Sequence, residues 1–160
     1  MGIEIERKFL VSGRWSQGID MDTYLMIHQG YLSLDPERTV RVREVRDTAP
    51  DLYRTFGYLT VKGKSYGIER VEYEYEIPSD DARKLLGLCV ASVVEKCRYR
   101  VGRFEVDRFM GVNNGLMVAE IELQHADETF EKPSWLGVEV SDDPKYFNSN
   151  LATNPYVGWK

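Results

Sequence analysis

Residues 3–9 alternate with a period of two: Glu4, Glu6 and Lys8 share one parity, and Ile3, Ile5, Arg7 and Phe9 share the other. A strand points successive side chains to opposite faces, so this segment turns two carboxylates and an ammonium to one side and mostly apolar groups to the other. The habit recurs in Arg41/Arg43, Lys62/Lys64, Arg70/Glu72/Glu74/Glu76, Lys96/Arg98/Arg100, Glu105/Asp107 and Glu120/Glu122. Ionic faces on nearly every strand exclude a sandwich, whose dry core would make unpaired charges prohibitively expensive. A closed barrel with a wet, charged lumen resolves the conflict, its apolar exterior (Ile3, Ile5, Val40, Val42, Val61, Val71, Tyr73, Tyr75, Val106, Ile121, Leu123) being covered by helices. Outward polar interruptions such as Arg7 and Arg46 speak against a membrane barrel.

Alternation predicts strands over about 2–11, 25–34, 38–46, 54–64, 67–78, 94–102, 103–109 and 115–124, so the chain is mainly β and antiparallel. Ser79-Asp80-Asp81 caps a predicted helix over about 80–91, and Ser141 to Pro144 opens a short helix through about Leu151. Residues 12–24 read as a loop with room for one short helix.

With 160 residues, 42% of them hydrophobic, residues 1–160 form one domain large enough to bury a core. A net charge of -5 argues against a general nucleic-acid binder, which concentrates basic excess. The sequence contains no apolar run of the roughly 20 residues that span a bilayer, nor a leader pattern, so no membrane association is expected. Cys89 and Cys97 match neither a disulfide framework nor a metal spacing, and free thiols imply a cytoplasmic protein. No His/Cys cluster suits zinc, and His28 and His125 fall on the parity opposite the charged face.

The run Glu4 to Phe9, E-I-E-R-K-F, resembles the E-x-E-x-K signature of the CYTH superfamily, the triphosphate tunnel metalloenzymes. It is joined in family order by Gln29 to Leu32, Val40 to Arg43, Leu59 to Lys62, Arg70 to Glu74, Glu95 to Tyr99, Phe104 to Asp107 and Ala119 to Glu122. Trp135 to Gly137, Glu139-Val140 and Asp142 to Tyr146 resemble the C-terminal segment of the compact bacterial tripolyphosphatases. The resemblance implies a closed eight-stranded antiparallel β-barrel, with a few helices outside and a C-terminal plug-like helix. Its tunnel would bind a small-molecule triphosphate with a divalent metal.

On that reading Arg41, Arg43, Lys62, Lys96 and Arg98 are the main phosphate ligands, with forked guanidiniums and compact ammoniums spread along a polyanion. Arg70, Lys64 and Arg100 share their parity near the tunnel mouths. Carboxylates would repel such a substrate unless a hard cation stood between them, so Mg2+ or Mn2+ is expected on Glu4, Glu6, Glu120 and Glu122. Glu72, Glu74 and Asp107 would serve a second site or an outer shell. Surrounding cations disfavour the charged form of Lys8, which makes it the candidate general base, or else one more phosphate cation. Tyr31 resembles the tyrosine that pairs with that lysine, and Lys145 matches a basic position of the plug-like helix. The activity implied is hydrolysis of inorganic tripolyphosphate to pyrophosphate and phosphate. The alternatives are a nucleoside or thiamine triphosphatase, a class IV adenylate cyclase, and a non-catalytic polyphosphate- or nucleotide-binding module.

Overall fold

The computed structural model describes residues 2–159. Its strands are β1 (Gly2–Val11), β2 (Leu25–Ser33), β3 (Arg38–Asp47), β4 (Arg54–Tyr66), β5 (Glu69–Ile77), β6 (Val90–Val101), β7 (Phe104–Phe109), β8 (Met117–Glu122) and β9 (Leu136–Glu139). The helices are α1 (Ser79–Leu86) and α2 (Asn148–Thr153). Neighbours run β5-β4-β3-β2-β6-β7-β8-β1, all antiparallel, and β1 pairs with β5 from Gly2↔Glu72 to Ile5↔Glu69, which closes an eight-stranded barrel. Beyond that contact β1 continues against β9, an extra strand outside the closure.

Closure places one parity of each strand in the lumen and the other outside. The outer face is covered unevenly. Over β1, β6, β7 and β8 the cover consists of two loops: Trp15 packs edge-on against Tyr99, and Phe130 and Trp135 pack against Phe104, joining a cluster with Ile5, Phe9, Val106 and Ile121. The stretch 12–24 holds turns and no helix. Over β3 and β4 the cover is α1. Two glycines make room for it, because a Cβ on Gly57 would meet Ala82 Cβ at 2.8 Å and one on Gly30 would meet Cys89 Sγ at 2.6 Å. Over β5 and the start of β1 no such cover lies among the described residues: Ile3, Val71, Tyr73 and Tyr75 stay 42–67% exposed. The expected jacket of helices is therefore one helix and two aromatic loops.

The helix predicted over 80–91 stops at Leu86. Gly87, Leu88 and Cys89 then turn through bonds to Lys84, Leu85 and Leu86, and β6 starts at Val90. The predicted C-terminal helix is split into a short 3-10 turn, Pro144–Tyr146, and α2, with extended backbone at Phe147 between them. α2 sits in one end of the barrel, where Leu151 and Ala152 pack against Tyr31, Val94, Phe109 and Val118. Among the described residues no helix is long and apolar enough to cross a membrane.

Candidate functional site

The lumen opens into a cavity of about 270 Å³ lined by side chains from β1 to β8 and by residues 147–149 of the C-terminal segment. Glu4, Glu6, Lys8, Tyr31, Arg41, Arg43, Lys62, Arg70, Glu72, Glu74, Lys96, Arg98, Glu120 and Glu122 all line it. Four predicted residues lie outside this lining. Asp107 is fully buried behind the lining, so it is not poised to hold a metal in the cavity. Lys145 is exposed, with Nζ 4.9 Å from the Trp159 ring centroid. Lys64 and Arg100 are exposed and outside the lining; Arg100 keeps the inward parity, paired with the cavity-lining Glu105, whereas the β4–β5 register shifts after Lys62 and that bulge breaks the parity expected for Lys64.

The β6–β7 wall is tightly paired. Arg98 meets Asp107 through Nε at 2.7 Å and Nη2 at 2.9 Å, a fork-on-carboxylate geometry, and also reaches Glu105 and Glu120. Lys96 Nζ lies 2.7 Å from the same Asp107. Burial pushes Lys96 down to about 7, with Asp107 pulling the other way. Burial likewise presses on Arg43, and the charges of Arg41 and Arg98 add to it, lowering that guanidinium.

Across the tunnel, Lys62 Nζ sits 2.8 Å from Glu4 and 3.2 Å from Glu72, and Arg41 Nη2 sits 3.2 Å from Glu74 and 3.0 Å from Thr60. Among the described residues the buried Nε of Arg41 has no hydrogen-bond partner. Burial alone would raise Glu4, but the charge and hydrogen bond of Lys62 outweigh it and lower the carboxyl.

Glu6 and Glu122 face each other across β1 and β8. Burial, then repulsion from Glu120 and Glu4, holds the Glu6 carboxyl well above the usual range. Glu120 goes the other way: burial opposes its charge, but Lys8, Arg98 and Lys96 overcome that and depress it strongly. A crowded acid set with an uncompensated member, all oxygen donors, fits a hard divalent cation. Among the described residues no three acidic, His or Cys side chains converge ready-made on one point. Substrate oxygens and water would have to complete the shell, as magnesium commonly requires.

Lys8 Nζ donates to the Tyr146 carbonyl at 3.3 Å and lies 3.6 Å from Glu120, so an acid and a carbonyl hold it, where a ring of cations was expected. Among the described residues no hydrogen bond joins Lys8 to Tyr31, although both line the cavity. Charge alternation also passed over the neutral members of the site. Thr60 hydrogen-bonds Arg41 and Glu74, Thr39 accepts from Arg70, and Gln29 and Asn148 bridge Arg43 to Lys96. The one available signal was parity, since Gln29, Thr39 and Thr60 share the inward register of the ionic residues.

The CYTH domain model matches residues 2–149. The chain is 47% identical over 165 residues to an inorganic triphosphatase of Acetivibrio thermocellus, covering 100% of this chain and 99% of that protein. It is 33% identical to an inorganic triphosphatase of Nitrosomonas europaea, covering 93% and 96% of the two. A crystal structure of an inorganic triphosphatase superimposes with a TM-score of 0.58 at 30% identity, over 93% of each chain. A putative adenylate cyclase from Bacillus halodurans, at 15% identity over 79% of this chain and 84% of that one, shares the fold with a TM-score of 0.57. A closed barrel whose lumen carries opposed acids and bases, matched along almost its whole length, places this chain in the CYTH domain family.

Proposed function

We propose that the protein hydrolyses inorganic tripolyphosphate to pyrophosphate and phosphate in a divalent-metal-dependent reaction. One observation carries this reading: one cavity in a closed barrel is lined by Arg41, Arg43, Lys62, Arg70, Lys96 and Arg98 together with Glu4, Glu6, Glu120 and Glu122. The two curated relatives above are both named inorganic triphosphatases, which supports the same substrate class.

The basic groups bind phosphoryl oxygens, and the forked guanidiniums fix orientation while neutralising charge on the transferred group. Glu4, Glu6, Glu120 and Glu122 would hold Mg2+ or Mn2+, with Glu72 and Glu74 further out; the ion would neutralise phosphate charge. Water attacks the terminal phosphorus, the P–O bond to the bridging oxygen breaks, and pyrophosphate leaves. Lys8, which lines the same cavity as Tyr31, is assigned to the proton of that water. Residues 1–160 are read as a single domain acting in the cytoplasm, which suits the free thiols of Cys89 and Cys97.

The deciding assay follows phosphate release from tripolyphosphate, ATP, GTP and thiamine triphosphate, each with magnesium, manganese or EDTA, with nucleotide products resolved. Tripolyphosphate should be the preferred substrate and EDTA should abolish turnover; cyclic AMP from ATP, or binding without turnover, would replace this reading. Lys8→Arg keeps the charge but cannot release its proton at accessible pH. It should bind tripolyphosphate normally and lose roughly two to four orders of magnitude in turnover, as for loss of acid-base catalysis. Substantial turnover in that variant would make Lys8 a phosphate cation only.

A further inference from the structure

We propose that Asn148 brings the C-terminal helix into the substrate site, with its carboxamide oxygen positioning two basic side chains and its nitrogen donating to a phosphoryl oxygen. The inference rests on the tunnel being the triphosphate site. Asn148 is the first residue of α2, and it lines the cavity. Its Oδ1 accepts from Lys96 Nζ at 2.9 Å and from Gln29 Nε2 at 2.9 Å. Gln29 Oε1 in turn accepts from Arg43 Nε at 3.0 Å and Nη2 at 2.7 Å.

The direction of every bond in this chain follows from its ends. Arg43 can only donate, and so can Lys96 as the ammonium paired with Asp107, so both amides turn their oxygens towards those cations. Gln29 gives its oxygen to Arg43, which leaves its nitrogen for Asn148. Asn148 spends its oxygen on Gln29 and Lys96, and among the described residues its Nδ2 donates to no acceptor.

Gln29 and Lys96 are 0% and 1% exposed, so the Asn148 carboxamide oxygen, and not bulk water, is the partner they have in place. Leu151 and Ala152 anchor α2 in the inner apolar cluster, and the Tyr146 carbonyl accepts from Lys8. Residues 146–148 thus touch Lys8 and Lys96 directly, and Arg43 through Gln29. Seating α2 completes the basic lining, and a charged network this buried holds a unique geometry only when each member is satisfied.

The test uses the full chain with Asn148→Asp and Asn148→Ala, melting temperature serving as the folding control. Tripolyphosphate affinity is measured calorimetrically in EDTA, and side-chain amide resonances of Gln29 and Asn148 are followed by NMR with and without tripolyphosphate. N148A should bind about three- to tenfold more weakly, the loss expected for one neutral donor. N148D keeps the acceptor for Lys96 and Gln29 and replaces the donor by an anion, so it should bind more weakly still while leaving the Gln29 amide resonances near their wild-type positions. N148A should move those resonances even without ligand. Wild-type affinity in N148D overturns the donor role, and a Gln29 amide unmoved in folded N148A overturns the positioning role. Failure of the wild type to bind tripolyphosphate both in EDTA and with added magnesium would sink the triphosphate reading and the donor role with it, while the ligand-free Gln29 comparison would still decide the positioning.

Discussion

On the β6–β7 side of the tunnel Lys96 and Arg98 share Asp107, and all three side chains are at most 9% exposed. On the β4–β5 side Lys62 and Arg41 lean on Glu4, Glu72 and Glu74, whose side chains are 18–36% exposed in the cavity wall. The first arrangement is fixed before any ligand arrives, because a buried carboxylate with bidentate and ammonium partners has nowhere to go. The second is exchangeable: a phosphate can take the cation, and the released acid can turn to a metal. A polyanion site benefits from both, one wall supplying preorganised geometry and the other supplying charge that redistributes on binding.

The largest effect should come from breaking the fixed wall. Asp107→Ala leaves Arg98 and Lys96 buried without their shared counter-charge, and the expected loss is about 3–5 kcal/mol in denaturant unfolding. A near-native unfolding midpoint would mean that the β6–β7 wall is as exchangeable as its opposite. Next in size, Arg41→Ala and Arg43→Ala should each weaken tripolyphosphate binding by about 1.5–3 kcal/mol, the range for hydrogen bonds to charged groups. Unchanged affinity in both folded variants would remove these arginines from the substrate site.

A smaller effect separates acids lowered by a neighbouring cation from Glu6, which burial and neighbouring acids raise. Folding raises the Glu6 carboxyl, so between its ordinary value and its folded value the native state binds more protons than the unfolded chain. In metal-free protein the Glu6 contribution to stability therefore falls as pH rises through that window. Glu120 and Asp107 are depressed and behave oppositely, losing stability as pH falls below the ordinary carboxylate range. Glu6→Gln should accordingly raise the metal-free melting temperature near neutral pH, lose activity, and no longer be stabilised by added magnesium or manganese as the wild type is. Equal metal stabilisation in wild type and variant would take the metal away from Glu6.

The difference between the walls was only half legible in the sequence. Period-two alternation located β1 at its observed bounds and put Glu4, Glu6 and Lys8 on the inward face, because strand parity is a local property. It could not tell Asp107 from Glu72: both are inward acids, and only the barrel's closure decides which is buried behind a lysine and an arginine. β9 escaped because four residues including Gly137 offer no charge rhythm, and it is held by pairing with β1. The loop cover escaped because Trp15, Phe130 and Trp135 are isolated aromatics far apart in the chain. Gln29, Thr60 and Asn148 carry no charge, so a search for ionic pairs passes over the residues that orient those pairs.

The smallest expected effect is the one that most sharpens the contrast. Glu74 is 36% exposed and bonds Arg41, itself 11% exposed, at 3.2 Å; solvent screens the carboxylate end, which keeps the pair near the surface range of about 0.2–1 kcal/mol. Glu74→Gln should therefore change stability by less than about 1 kcal/mol, far below the effect of Asp107→Ala. Its binding phenotype distinguishes two roles. As a counter-ion only, Glu74 competes with phosphate for Arg41, so the amide should strengthen tripolyphosphate binding slightly in EDTA and leave the metal dependence of turnover unchanged. As a ligand for a second metal, the same substitution should shift the magnesium or manganese titration of turnover to higher concentration. The geometry favours the first outcome, because the Glu74 carboxylate already accepts from both Thr60 and Arg41 through Oε2. A shifted metal titration in E74Q would show instead that this wall gives up its acid to a cation, and its exchangeability would then serve metal capture as well as substrate binding.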